Sequence, residues 1–267
     1  MIFYFTATGN SLYVAKQLDK ECVSIAQAIH GDLHFKADRI GIVCPVYGHE
    51  MPTLVKAFIQ KATFDTDYLY LVETYGHRHG GANELAKDVF ESSGKHLDYT
   101  TTISLVDNFL PSFDMNEERE FDKQRNIEKH IQEIKKDIDS KKRWYQPVTQ
   151  QDRMHHQEFV TRMKAELKEA YKNLYTVTDS CIGCGICTKV CPVGCIEFVN
   201  NRAIHHLVDE SGNLKCNACM ACIHHCPKKA IQFNIPEKNP NVRYKNDHIS
   251  LDEIIVANNQ KGEENEK

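Results

Sequence analysis

Several kinds of segment are missing from this 267-residue chain. No apolar run approaches the ~20 residues needed to cross a bilayer. The N-terminal MIFYF is apolar but short, carries no basic flank and runs straight into a polar loop. Neither a signal peptide nor membrane insertion is therefore expected. There is no excess of basic residues: the formal net charge is −4, which argues against nucleic acid as the main partner. The first glycine loop lacks the lysine of a Walker loop, which disfavours a triphosphate with magnesium. It also lacks the G-x-G-x-x-G of dinucleotide folds. No Gly/Ser linker separates the two halves of the chain.

Cysteine, by contrast, is abundant. Of eleven cysteines, eight lie in two runs, CIGCGICTKVCP from Cys181 and CNACMACIHHCP from Cys216. Each run reads C-x₂-C-x₂-C-x₃-C-P. Three closely spaced thiolates can wrap three iron corners of one cube, while the fourth points away to the other cluster. On that pattern Cys181, Cys184, Cys187 and Cys226 hold one [4Fe–4S] cluster, and Cys216, Cys219, Cys222 and Cys191 hold a second. Pro192 and Pro227 turn the chain away after each fourth ligand. An offset of 35 residues superimposes the two runs, carrying Ile196 and Phe198 onto Ile231 and Phe233. Zinc ribbons are the alternative, but they take paired C-x₂-C units rather than four cysteines and a trailing proline. Cys195 could be a ninth ligand or a redox thiol. The offset aligns it with Ala230, which favours a small buried thiol. Cys22 and Cys44 stand alone. Thiol-bound clusters need a reducing compartment, so a cytoplasmic protein is expected. Residues 176–236 resemble the two-[4Fe–4S] bacterial-type ferredoxins, and the match to their motif is complete.

Residues 1–105 alternate strand and helix patterns, which implies a doubly wound parallel sheet. Its first strand-to-helix loop is Thr6-Ala7-Thr8-Gly9-Asn10-Ser11. Hydroxyls, a glycine and N–H groups at a helix N-terminus suit a phosphate, and without lysine a terminal monophosphate. Two later loops, Cys44-Pro45-Val46-Tyr47-Gly48 and Tyr75-Gly76-His77-Arg78-His79-Gly80-Gly81, pair a tyrosine with glycines, a fit for a flat ring. A monophosphate and a planar ring together describe FMN. On this loop, which matches T-x-T-G-N-[ST] at every position, residues 1–140 resemble flavodoxins. The resemblance implies a five-stranded sheet of order 2-1-3-4-5, with FMN at the switch point. It places the phosphate on Thr6, Thr8, Gly9, Asn10 and Ser11, and the ring near Pro45, Tyr47, Gly48, Tyr75, Gly76, Gly80 and Gly81. Tyr47 stands where a tryptophan is common. His77 and His79 are read as solvent-facing loop residues that could alternatively donate to reduced flavin.

Five further segments complete the chain. Residues 106–113 read as a loop with exposed aromatics that either covers the flavin or docks the second domain. Residues 116–142 read as one helix with a stripe of Ile127, Ile131, Ile134 and Ile138, ending in the solvated run Lys141-Lys142-Arg143. WYQPVTQQ reads as a break. Residues 152–175 read as a second amphipathic helix, with Val160, Met163, Leu167, Tyr171 and Leu174 on one face. In the tail, Ser250 and Glu253 form a capping box, and the last ten residues look disordered. The expected division is 1–150 flavodoxin-like, 151–175 connector, 176–236 ferredoxin-like and 237–267 tail. As a whole the chain resembles the ferredoxin–flavodoxin fusion proteins of anaerobic prokaryotes. The resemblance implies an electron carrier that joins one- and two-electron steps and works with redox partner proteins. A flavin-dependent reductase fed by the clusters and a redox sensor without turnover are the rivals.

Overall fold

The computed structural model describes residues 1–170 and 173–260, with the side chains of 162–170 left aside. In chain order, the first half runs β1 (Ile2–Tyr4), α1 (Asn10–Leu18), β2 (Cys22–Ser24), α2 (Ile25–Ala28), β3 (His34–Lys36), β4 (Ile40–Pro45), α3 (Thr53–Lys61), β5 (Thr63–Asp65), β6 (Leu69–Tyr75), α4 (Ala82–Ser92) and β7 (Tyr99–Ser104). Then come α5 (Met115–Asp122), α6 (Ile127–Asp139), β8 (Trp144–Tyr145) and α7 (Gln150–Ala170). The second half adds β9 (Tyr175–Val177), α8 (Ile186–Lys189), β10 (Ile196–Val199), β11 (Arg202–His205), α9 (Ala221–His225), β12 (Ile231–Phe233) and α10 (Leu251–Asn258).

The main sheet has the order β2-β1-β4-β6-β7-β8, with every pairing parallel. Its first five strands follow the doubly wound order implied by the loop motif. The sixth is a correction. WYQPVTQQ is not simply a break, because Trp144 and Tyr145 pair with Tyr99 and Thr100. Two residues are too short for any period to show. The continuous apolar runs of β4 and β6 are buried on both faces, as a covered parallel sheet requires. A small parallel pair, β3–β5, lies outside this sheet and brings Phe35 and Phe64 onto Phe3 and Phe58.

Residues 116–142 form two helices, not one. Asn126 adopts a left-handed conformation (φ 51°) between α5 and α6, where the charge pattern gave no break signal. The isoleucine stripe is buried as expected, at 1–9 % exposure. Residues 106–113 are not an exposed aromatic loop: Val106 and Leu110 are buried, and Phe109 and Phe113 pack beside them. Met163, Leu167 and Tyr171 lie outside the described side chains, Val160 is half-buried and Leu174 is buried.

In the second half, the offset of 35 reappears in the backbone. Gly183, Gly185 and Gly194 have φ of 70°, 71° and 56°, and their counterparts Ala218, Met220 and Lys229 have 49°, 61° and 50°. The turns that present the cysteines thus keep a left-handed conformation even where glycine is replaced. Helices α8 and α9 pack together; β9 pairs with β12 and β10 with β11, both antiparallel.

The two halves share their cores. One hydrophobic cluster joins the main sheet to Val190, Cys219, Ala221, Ile249, Ile254 and Ala257. The other joins Val106, Leu110 and Met115 to Tyr175, Ile223 and Phe233. Full burial of such side chains is worth about 1.5–3 kcal/mol each. Val106, Leu110 and Met115, at 0–4 % exposure, therefore make a permanent seam.

Candidate functional site

The eight cysteines of the two runs line two cavities. The larger is lined by Cys181, Cys184, Cys187 and Cys226; the smaller by Cys191, Cys216, Cys219 and Cys222. Each set thus takes three cysteines from one run and the fourth from the other, because α8 and α9 pack face to face and each fourth cysteine leaves its helix toward the opposite half. The thiols meet backbone donors at repeat-related positions. The N–H of Cys195 lies 3.4 Å from Cys191 Sγ and that of Ala230 lies 3.2 Å from Cys226 Sγ, while the Ala218 N–H donates to Cys216. Burial and the neighbouring thiols push Cys187 up to about 11 and push Cys219 and Cys222 higher still. Thiols so crowded and dry ionise together only around concentrated positive charge, and the donor set fits an iron–sulfur cluster in each cavity.

Cys195 lines the smaller cavity, with its sulfur 3.5 Å from that of Cys191. A hydrogen bond from Cys195 holds Cys191 down at about 6, while Cys195 itself is pushed up and stays protonated. It sits where Ala230 sits in the other half, as a buried thiol beside the cysteine set. Cys44 is also buried, on β4 of the main sheet, and Cys22 is half-buried.

The Thr6–Ser11 loop lies between β1 and α1 at the carboxyl end of the main sheet. Gly9 has φ 106°, the left-handed region that glycine enters without strain. Among the described residues, the N–H groups of Thr8 through Ser11 find no acceptor in the protein. Thr6 is 1 % exposed, and its Oγ1 has no hydrogen-bond partner. Ser11 Oγ lies 2.8 Å from Thr74 Oγ1, and Asn108 Nδ2 donates to Thr8 Oγ1 at 2.8 Å. Unpartnered donors in a buried loop fit a phosphate, which supplies acceptors only.

The expected ring loops are disposed differently. Tyr47 is half-buried, edge-on to Phe5, and its hydroxyl is pushed well up by burial and by nearby Cys219. It thus lies between the main sheet and the second cysteine set. Gly48 and Gly80 both have positive φ, and a Cβ on them would meet Phe159 at 2.9 Å and His49 at 2.3 Å. Val148 lies over Gly81, and Asp107 crowds Gly76. The first half of α7 therefore lies across these loops, with Phe159 against His49 and Asp152 3.7 Å from His79. Tyr75 meets His79 edge-on.

His77 is exposed, as expected, but also makes specific contacts, whereas His79 is not solvent-facing. His77 is stacked on Phe113, with ring centroids 4.4 Å apart, and its Nε2 lies 2.5 Å from Glu118 Oε1. His79 is only 12 % exposed. Sequence reasoning also missed the tail's part in this region. Tyr244, Asn246 and Asn258 all bond the Thr6–Ser11 loop, although nothing in the pattern of the tail beyond its capped helix marked them.

The chain thus joins a doubly wound α/β sheet with a phosphate-type loop, through shared cores, to two pockets of four cysteines each. The chain carries a 4Fe-4S dicluster domain on its C-terminal side and a doubly wound parallel α/β sheet on its N-terminal side. Residues 180–231 match the family described as a 4Fe-4S dicluster domain. Over 53 residues the chain is 43 % identical to a component of the ion-translocating oxidoreductase complex of Methanosarcina acetivorans, covering 20 % of this chain and 18 % of that protein. Over 54 residues it is 33 % identical to a ferredoxin-like protein in the nif region of Trichormus variabilis, covering 20 % of this chain and 42 % of the relative. The chain thus spans less than half the length of these curated relatives. A solved flavodoxin from Megasphaera elsdenii, in its two-electron reduced form, aligns with 38 % of this chain and 82 % of its own, at 20 % identity and a TM-score of 0.29. Among the described residues, no helix is long and apolar enough to cross a membrane.

Proposed function

We propose that this chain is an intramolecular electron relay. It holds two [4Fe–4S] clusters on the cysteine sets 181/184/187/226 and 191/216/219/222, and FMN on the loops at 6–11, 45–48 and 75–81. When bound, the clusters supply one-electron steps and FMN a store for one or two electrons.

The observation that carries this reading is the position of the second cysteine set. Cys219 belongs to the same hydrophobic cluster as β1, β4 and β6, and Tyr47, two residues beyond β4, packs against that cluster. The first set faces outward: Cys184 is exposed, Cys181 half-buried, and Ile182 between them 59 % exposed. The arrangement gives the outer set access to partner redox proteins and keeps the inner set dry beside the flavodoxin-like half. The shared cores hold this geometry, so effective concentration across the seam is set by the fold rather than by a tether.

The test is rapid reduction of the clusters by an artificial donor, followed through the flavin spectrum at several protein concentrations. A flavin rate independent of concentration supports the relay. A rate proportional to protein means transfer between molecules and overturns it.

A further inference from the structure

We propose that the C-terminal segment 244–258 is a built wall of the phosphate site, and that it clamps the polyol-phosphate end of the cofactor onto the Thr6–Ser11 loop. The proposal rests on the FMN reading above and adds to it residues that lie more than 230 positions from the loop.

The segment reaches the loop along its whole length. The Tyr244 hydroxyl and Asn246 Nδ2 both donate to Asn10 Oδ1, at 2.6 and 3.1 Å. The Asn246 N–H donates to the Thr8 carbonyl at 2.8 Å. Ile249 and Asn246 lie over Gly9, where an added Cβ would come within 2.8 Å of Asn246 Cβ and 3.1 Å of Ile249 Cβ. His248 stacks on Tyr13 of α1, centroids 4.6 Å apart and planes 17° from parallel. At the far end, Asn258 Nδ2 donates to the carbonyls of Thr6, at 2.9 Å, and Val190, at 3.2 Å. Val190 precedes the cluster-set residue Cys191, so one buried amide spans the phosphate loop and the second cysteine set.

The chemistry of these contacts distinguishes a wall from a plug. To the loop itself the tail donates throughout, and it takes up the loop's acceptors: two carbonyls and the Asn10 side-chain oxygen. It leaves the loop's donors free. The N–H groups of Thr8 through Ser11 and the buried Thr6 hydroxyl stay without partners among the described residues. A segment evolved to fill the site would satisfy those donors, since leaving them unmade is costly. The tail also brings an acceptor of its own. Asn258 is 1 % exposed and its Oδ1 has no partner. A sugar-alcohol hydroxyl can donate to that oxygen, and a phosphate can accept from the loop. The tail is itself anchored away from the loop: Tyr244 N–H donates to His224 Nδ1, whose Nε2 bonds the Asn108 carbonyl, and Lys16 pairs with Glu253.

The experiment measures FMN and riboflavin affinity by flavin fluorescence in the full chain, after flavin removal and with iron retained. The variants are Asn246→Ala, Tyr244→Phe and Asn258→Ala, each checked for unchanged iron content and circular dichroism. The expected result is that FMN affinity falls by up to roughly tenfold, the scale of one lost hydrogen bond to the loop, for Asn246→Ala and Tyr244→Phe. Riboflavin, which lacks the phosphate, should lose much less with those two variants. Asn258→Ala should weaken both ligands. Inorganic phosphate should compete with FMN in the wild-type chain and less well in Asn246→Ala. Variants that bind FMN as tightly as wild type, or more tightly, overturn the wall and identify the tail as inert or as a plug. A wild-type chain that binds no FMN overturns the flavin reading together with this one.

Discussion

Glu73 offers the sharpest physical test of the flavodoxin-like half. It stands in the centre of the sheet on β6, opposite Cys44 of β4 and Thr102 of β7. It is 0 % exposed and neither carboxylate oxygen has a hydrogen-bond partner. Burial pushes its carboxyl from 4.5 up to about 8, with only partial relief from the charge of Lys56. Between these values the folded chain keeps a proton that the unfolded chain releases. Its contribution is therefore complete below pH 4.5 and declines as pH rises toward 8. The slope is about 1.36 kcal/mol per pH unit, a fall of about 5 kcal/mol across the window. Glu73→Gln has nearly the same shape, cannot ionise, and should lose this dependence. Anaerobic urea unfolding of wild type and variant from about pH 5 to 8 measures the difference, in which contributions from the cysteine sets cancel. The variant should gain on wild type by several kcal/mol at the alkaline end. Parallel stability curves would show that Glu73 ionises in place, with water or a partner beside it, and the reasoning would fail.

Three other outcomes follow from the geometry. Cys195→Ala should keep about eight iron atoms per chain, because the eight cysteines of the two runs complete both sets without it; loss of half the iron would make Cys195 a ligand. Denaturation should release FMN and no FAD, and Gly9→Ala should weaken flavin binding, since its φ of 106° and the 2.8 Å approach of Asn246 leave no room for a Cβ; release of FAD alone would contradict this. Arg243 and Glu237 form an ion pair at 2.7 Å with side chains 5 % and 4 % exposed. Arg243→Met should cost about 3–5 kcal/mol by stranding the carboxylate, and adding Glu237→Leu should recover much of it; an unchanged urea midpoint for the single variant would show the pair to be solvated.

What the sequence determined by itself is local or periodic. The parallel α/β order was legible because buried strands such as IGIVCP and the helices between them carry their own hydrophobic pattern. The repeat in the cysteine runs was legible because the spacing constrains a few adjacent turns, and the same offset returns in the left-handed positions 183/218, 185/220 and 194/229. The Ser250–Glu253 capping box formed as its spacing implied, being complete within one turn. Tertiary structure decided whatever depends on which surfaces meet. Segment 106–113 turned inward because Tyr175, Ile223 and Phe233 offered an apolar face that no local pattern announces. Tyr47 packs on the core cluster that also holds Cys219, and Phe159 of α7 comes to Gly48, through contacts between segments far apart in the chain. The tail's asparagines became partners of a loop at the other end of the chain, since a side-chain amide carries no period and its role exists only once folding brings Asn246 to Thr8 and Asn258 to Thr6.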